Sequence, residues 1–140
     1  MRFKVAQISL TEVARRHTQW SRALPSVRPF YAVKCNPDLR VLETLAALGA
    51  GFDCASAQEV AMVRSLGVPA HDIIYANPCK EPAQLRDAVS HGVQRMTFDS
   101  QEELYKARDH APLARLFLRL AVDDSAARCR LSNKFGALPD

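Results

Sequence analysis

Long apolar runs are missing from this 140-residue chain, and no stretch approaches the roughly 18 to 20 residues that a membrane-spanning helix requires. The opening residues, Met1-Arg2-Phe3-Lys4-Val5-Ala6, lack the extended apolar centre of a secretory leader, so a cytoplasmic protein is expected. Cysteine is sparse: Cys35, Cys54, Cys79 and Cys129 are far apart, with no C-x-x-C pair and no histidine close behind one, which argues against a metal site or a disulfide framework. Glycine is scarce as well. The five glycines form neither G-x-G-x-x-G nor G-x-x-x-x-G-K-[ST], so the usual signs of a dinucleotide or P-loop sheet are absent. The net charge of +4, from 19 basic and 15 acidic residues, is spread without a block of like charge, which gives no footprint for nucleic acid. His17, His71, His91 and His110 show neither i, i+4 pairing nor a nearby nucleophile motif, so a catalytic triad is not expected.

What is present is repetition. Short β-branched or aromatic runs begin near Phe30, Gly51, Ile73, Arg95 and Arg115, at intervals of 20 to 22 residues, close to one βα unit each. Ser9-x-x-Glu12, Ser56-x-x-Glu59 and Ser100-x-x-Glu103 read as capping boxes, and Asn36-Pro37-Asp38 puts proline at a first helical position. Gly49, Gly67 and Gly92 fall just past apolar helical stripes, where a left-handed C-cap belongs, and Pro25 and Pro112 stop the first and last helices. A helix over Leu10 to Ala23 is expected to pack through Trp20. Residues 123–140 read as a loop, with a possible helix starting near Asn133 or Lys134. Parallel strands follow from this pattern. Period alone leaves open a doubly wound sheet or a (β/α)8 barrel, and five units are too few to close a barrel, which typically needs about 250 residues.

Three ionisable residues interrupt apolar strands. Lys34 ends the run Phe30-Tyr31-Ala32-Val33, a strand expected to be buried on both faces, and alternation points Phe30, Ala32 and Lys34 to one side. Asp53 and Arg119 repeat the anomaly on the second and fifth strands. Charges in a low-dielectric interior are paired or bind a ligand, so the set suggests either a shared polar site or a structural Asp53–Arg119 ion pair. A strand-end Lys34 whose amine reaches solvent is the plainer alternative. Glu59 is explained by its cap, Asp99 could cap a turn, and Lys134 could be an ordinary surface lysine.

The runs Pro29-Phe-Tyr-Ala-Val-Lys34-Cys-Asn, Gly51-Phe-Asp-Cys-Ala-Ser56, Ile74-Tyr-Ala-Asn-Pro-Cys-Lys80 and Met96-Thr-Phe-Asp-Ser100 closely resemble successive segments of eukaryotic-type ornithine decarboxylases, in order and spacing. The resemblance continues through Leu118-Arg-Leu-Ala and Cys129-Arg-Leu-Ser to Lys134-Phe-Gly-Ala137 and covers nearly the whole chain. It implies an α/β fold, a partial alanine-racemase-like (β/α)8 TIM barrel with about five units, in which residues 1–140 are the N-terminal portion of the pyridoxal-phosphate-binding domain and the rest of the barrel and a C-terminal β domain are absent.

By the same resemblance Lys34 matches the lysine that carries pyridoxal 5'-phosphate as a Schiff base, and Asp53 and Arg119 match positions lining the cofactor pocket. Glu59 matches a position near that pocket, and Lys134 one near the subunit interface of a homodimer. The implied reaction is decarboxylation of L-ornithine to putrescine in polyamine biosynthesis, with residues 82–105 corresponding to a region that contacts antizyme. The resemblance also admits a non-catalytic antizyme-binding relative, or a decarboxylase of another basic amino acid. Family members continue well beyond the segment that matches this chain, so the polypeptide alone is expected to be inactive or poorly folded.

Overall fold

The computed structural model describes residues 7–130 and 134–138. Helix α1 (Leu10–Ala23) leads into four βα repeats and a fifth strand: β1 (Phe30–Ala32), α2 (Leu39–Ala47), β2 (Gly51–Cys54), α3 (Ala57–Ser65), β3 (Ile73–Tyr75), α4 (Pro82–Ser90), β4 (Arg95–Phe98), α5 (Gln101–His110) and β5 (Arg115–Leu118). All five strands start where the sequence places them. They form one parallel sheet in the order β1-β2-β3-β4-β5. A doubly wound sheet would reverse its strand order about a switch point, whereas a barrel adds each strand beside the last, so this order decides for five units of a (β/α)8 barrel.

The helix starts follow from side-chain oxygens meeting orphan amides. Ser9, Ser56 and Ser100 accept from the amides of Glu12, Glu59 and Glu103 at 3.2, 3.2 and 3.4 Å. Among the described residues the reciprocal half of each capping box does not form, because other partners claim the glutamates. Glu12 pairs with Arg15 and Arg16, Glu103 with Lys80 and Lys106, and Glu59 Oε2 accepts from Ala55 N at 2.7 Å, one residue ahead of the cap. Pro37 also falls outside its helix. Asp38 is the N-cap of α2, its Oδ1 accepting from Arg40 N at 3.0 Å. Gly49, Gly67 and Gly92 have φ of 82°, 80° and 81°, the left-handed exits expected of them.

The sheet is two-faced. Phe52, Cys54, Ile73, Tyr75 and Met96 are fully buried against Val41, Leu42, Val60, Val63, Leu85 and Ala88 from the helices. Each large side chain moved out of water in this way contributes about 1.5–3 kcal/mol. The other face carries Phe30, Ala32, Asp53, Ile74 and Thr97, all half-buried, and looks towards the barrel axis. The expectation of strands buried on both faces therefore fails, because five strands surround the axis only in part. Trp20 also departs from expectation: its ring is 43% exposed, and its indole nitrogen donates to Val27 O at 3.0 Å. Asn133 lies outside the described residues, and Lys134 sits in a turn rather than a helix, followed by a bridge between Leu120 and Ala137. Among the described residues no helix is long and apolar enough to cross a membrane.

Candidate active site

Parallel strands end on the same side, so the segments after β1 to β5 form one rim. Lys34 lies on that rim, but not on a strand. β1 stops at Ala32, and Val33–Cys35 forms a 3₁₀ turn that tucks Val33 fully into the core and leaves Lys34 exposed. Alternation therefore holds only as far as Phe30 and Ala32, and the buried-strand lysine is replaced by an accessible one. The Lys34 amine makes no hydrogen bond or ion pair among the described residues.

Asp53 is the in-register neighbour of Ala32, as Gly51 is of Phe30. A Cβ at Gly51 would stand 2.7 Å from Phe30 Cδ1 and Cε1, so the Phe30 ring covers Gly51 and fills the layer below. Ala32, with a single methyl group, leaves the layer of Asp53 open. Burial raises the pKa of the half-buried Asp53 carboxyl above its usual range, and the positive charge of Lys34 opposes that rise. Lys34 and Asp53 thus act on each other electrostatically.

Arg119 follows β5 by one residue, anchored through its backbone: Arg119 N donates to Phe98 O and Ala137 N donates to Arg119 O, both at 2.8 Å. Its guanidinium lies 5.4 Å from the centroid of the Phe135 ring, and Lys134 Nζ lies 5.1 Å from the same centroid. Asp99 has a defined task, since its Oδ2 accepts from Gly136 N at 2.9 Å and pins this segment to the end of β4. Gly136 has φ of 128°, and a Cβ there would approach Ala121 N to 2.6 Å, so only glycine fits. No Asp53–Arg119 ion pair forms among the described residues. The rim instead presents an unpaired amine and a desolvated carboxylate on its first two units and a guanidinium on its fifth. That set suits an anionic aldehyde: the amine can take the carbonyl, and the guanidinium complements negative charge.

Residues 10–140 match the pyridoxal binding domain of the pyridoxal-dependent decarboxylases. The chain belongs to this family. It is 56% identical to ornithine decarboxylase of Mus musculus over 128 residues, which are 91% of this chain and 28% of that protein. It is 53% identical to antizyme inhibitor 2 of Xenopus laevis, again over 91% of this chain and 28% of the relative. The solved structure of the Paramecium bursaria Chlorella virus arginine decarboxylase bound to agmatine superimposes with a TM-score of 0.91 at 40% identity, covering 94% of this chain and 36% of that one. The chain thus spans less than a third of the curated relatives it matches.

Sequence reasoning overlooked Lys80 and Glu103. Both are buried, at 2% and 4% exposure, and they meet between the ends of β3 and β4. Glu103 sits at the third position of α5, which the capping pattern marked for a different reason. Lys80 closes the Asn77-Pro78-Cys79 loop, where a solvated lysine would be the ordinary outcome.

Proposed function

We propose that Lys34, Asp53 and Arg119 belong to the pyridoxal 5'-phosphate site of a decarboxylase acting on a basic amino acid, with L-ornithine as substrate and putrescine as product. In this reading residues 1–140 form the N-terminal portion of the cofactor-binding barrel. The observation that carries it is the exposed Lys34 amine on the rim beside Asp53, unpaired among the described residues, in a chain 56% identical to mouse ornithine decarboxylase. The cofactor, when bound, supplies the electron sink into which the bond to the departing carboxyl group breaks.

The chain's own residues set the conditions. Lys34 Nζ is the attachment atom, and among the described residues it has no acceptor to give up before it attacks a carbonyl. Asp53 keeps a carboxylate of raised pKa next to that amine, able to take or return a proton at Nζ as the amine changes its bonding. Arg119, held against Phe135, places fixed positive charge where an anionic group would lie. Ala32 keeps the layer open for a flat ring, and Phe30 closes it from below. Four free cysteines suit a reducing cytoplasm.

Incubation of the chain, extended to the length of the relatives it matches, with pyridoxal phosphate followed by borohydride reduction and peptide mapping tests the assignment. A pyridoxyl group should appear on Lys34 and be lost in Lys34→Ala. Labelling spread over surface lysines, with Lys34 spared, removes the assignment. Release of carboxyl-labelled CO₂ from ornithine by the same extended protein, compared with arginine and lysine, then ranks the substrates.

A second reading is favoured by the 53% identity to an antizyme inhibitor: an antizyme-binding protein using residues 82–105, where α4 and α5 present exposed helical surface on either side of β4. Capture of antizyme by a protein that does not label at Lys34 supports this reading over the first. The proposal also includes a homodimer, as the family resemblance implies, with Lys134 near its interface.

A further inference from the structure

Lys80 stands where an ammonium rarely does, 2% exposed and away from bulk water. Its Nζ donates to three main-chain carbonyl oxygens: Asn77 O at 3.0 Å, Pro78 O at 3.2 Å and Thr97 O at 2.6 Å. Glu103 Oε2 lies 3.6 Å away, and the Tyr75 ring centroid 5.8 Å away. Lys106 completes the cluster by pairing with Glu103 and donating to Lys80 O at 2.8 Å. Three carbonyls and a carboxylate around one ammonium are the donor set of a bound monovalent cation, supplied here by a side chain.

The acceptors belong to two strands. Asn77 and Pro78 follow β3, while Thr97 lies within β4, so the ammonium straddles the β3–β4 seam. That seam is the shortest in the sheet, with two register pairs, against three for β1–β2, three for β2–β3 and four for β4–β5. It also separates the strands that present Lys34 and Asp53 from the strand that leads to Arg119. Adjacent strands lie about 4.8 Å apart, so the three spacings from β2 to β5 total roughly 14 Å, and the middle one has the fewest ladder pairs.

We infer that Lys80 is a positioning residue for the cofactor site: it bolts the β1–β3 half of the rim to the β4–β5 half and so fixes where Arg119 stands relative to Lys34 and Asp53. This rests on the cofactor reading above. Glu103 keeps the bolt charged against the cost of burial, and Lys106 balances the carboxylate. An apolar side chain of similar length would fill the space but leave three carbonyls without their donor, and the two halves would be free to shift. Misplacement of a reactive group by 1 Å can cost on the order of a hundredfold.

The test uses the chain extended to the length of the relatives it matches and the concentration of pyridoxal phosphate that half-labels Lys34 under borohydride trapping. The double variant Lys80→Met/Glu103→Gln removes the bolt without stranding a buried charge. Arg28→Met/Asp72→Asn, which removes an ion pair from the opposite end of the sheet, is the control for removing an inter-unit charge pair away from the rim. The bolt variant should need about tenfold more cofactor, and the control should stay within about twofold of the parent. Amide exchange should quicken along β3–β4 and not along β1–β2. If the bolt variant does not fold, Lys106→Met provides a milder form, with an expected shift of about threefold.

Equal labelling of bolt variant and parent, or equal shifts in bolt and control variants, overturns the inference. Failure of the parent to label Lys34 overturns the cofactor reading and this inference with it. Normal parent labelling with an unaffected bolt variant overturns this inference alone.

Discussion

Two cations stitch neighbouring units of the sheet, one at each end, in opposite environments. At the end where the strands begin, Arg28 donates to Gly49 O at 3.0 Å and to the carboxylate of Asp72, joining the loop before β2 to the turn before β3. Its side chain is 45% exposed. At the end where the strands finish, Lys80 does similar work through Asn77, Pro78, Thr97 and Glu103, but in a dry setting. Water is permitted at one stitch and excluded from the other. Burying an ion pair costs desolvation and adds little net stability, so what the dry stitch adds is a single geometry. That geometry is found on the rim that carries Lys34, Asp53 and Arg119.

The sharpest way to break this contrast is to remove one charge from each stitch. Lys80→Met alone leaves Glu103 buried with only Lys106, and should cost about 3 kcal/mol in urea unfolding. The double variant Lys80→Met/Glu103→Gln should cost less than the single. A single variant no worse than the double would mean that Glu103 is solvated and the cluster is not dry.

At the other end, Arg28→Met should cost less than about 1 kcal/mol, because the guanidinium is half in water and its pairing with Asp72 is screened. The sign of its pH dependence follows from Asp72, whose pKa is lowered first by the hydrogen bond from Arg28. A depressed folded-state pKa gives stability that is complete above the ordinary value of 3.8 and is lost as pH falls through the lower folded value. Parent and Arg28→Met should therefore converge in strong acid. Persistence of the full difference there would assign the effect to packing of the arginine stem instead.

The same two ends show what could be read from residue order. Strand starts, the three serine caps and the three left-handed glycines were legible because each depends on neighbours within about four positions, whereas the proline start at Pro37 and the reciprocal half of the capping boxes were misjudged. Asp53 and Arg119 stood out as charges in apolar runs, although Arg119 lies one residue past β5 rather than on it. Lys34 was singled out for a partly mistaken reason: period-two alternation was carried past Ala32, whereas Val33 is buried in a 3₁₀ turn that takes the lysine out of the sheet. Lys80 escaped because its partners Thr97 and Glu103 lie 17 and 23 residues away, and nothing local distinguishes it from a solvated loop lysine. Long-range pairing of charges has no period to betray it.

The smallest expected effect concerns Asp53, which lies between the two extremes: on the rim, half-buried, and, among the described residues, without a hydrogen-bonded partner to match its charge. Burial raises its folded-state pKa despite Lys34, so between 3.8 and that raised value the folded chain holds a proton the unfolded chain has lost. Stability therefore falls as pH rises through this window, and above it the ionised carboxylate is a net burden on the fold. Asp53→Asn should raise stability at neutral pH by less than about 1 kcal/mol, and the gain should vanish below pH 3.8, where both side chains are neutral. Thermal melting as a function of pH resolves this, and cofactor labelling of Lys34 in the same variant should weaken. A carboxylate that costs stability and yet supports labelling is retained for the chemistry of the rim. If Asp53→Asn instead destabilises at neutral pH, the carboxylate serves the fold, and the rim's functional set shrinks to Lys34 and Arg119.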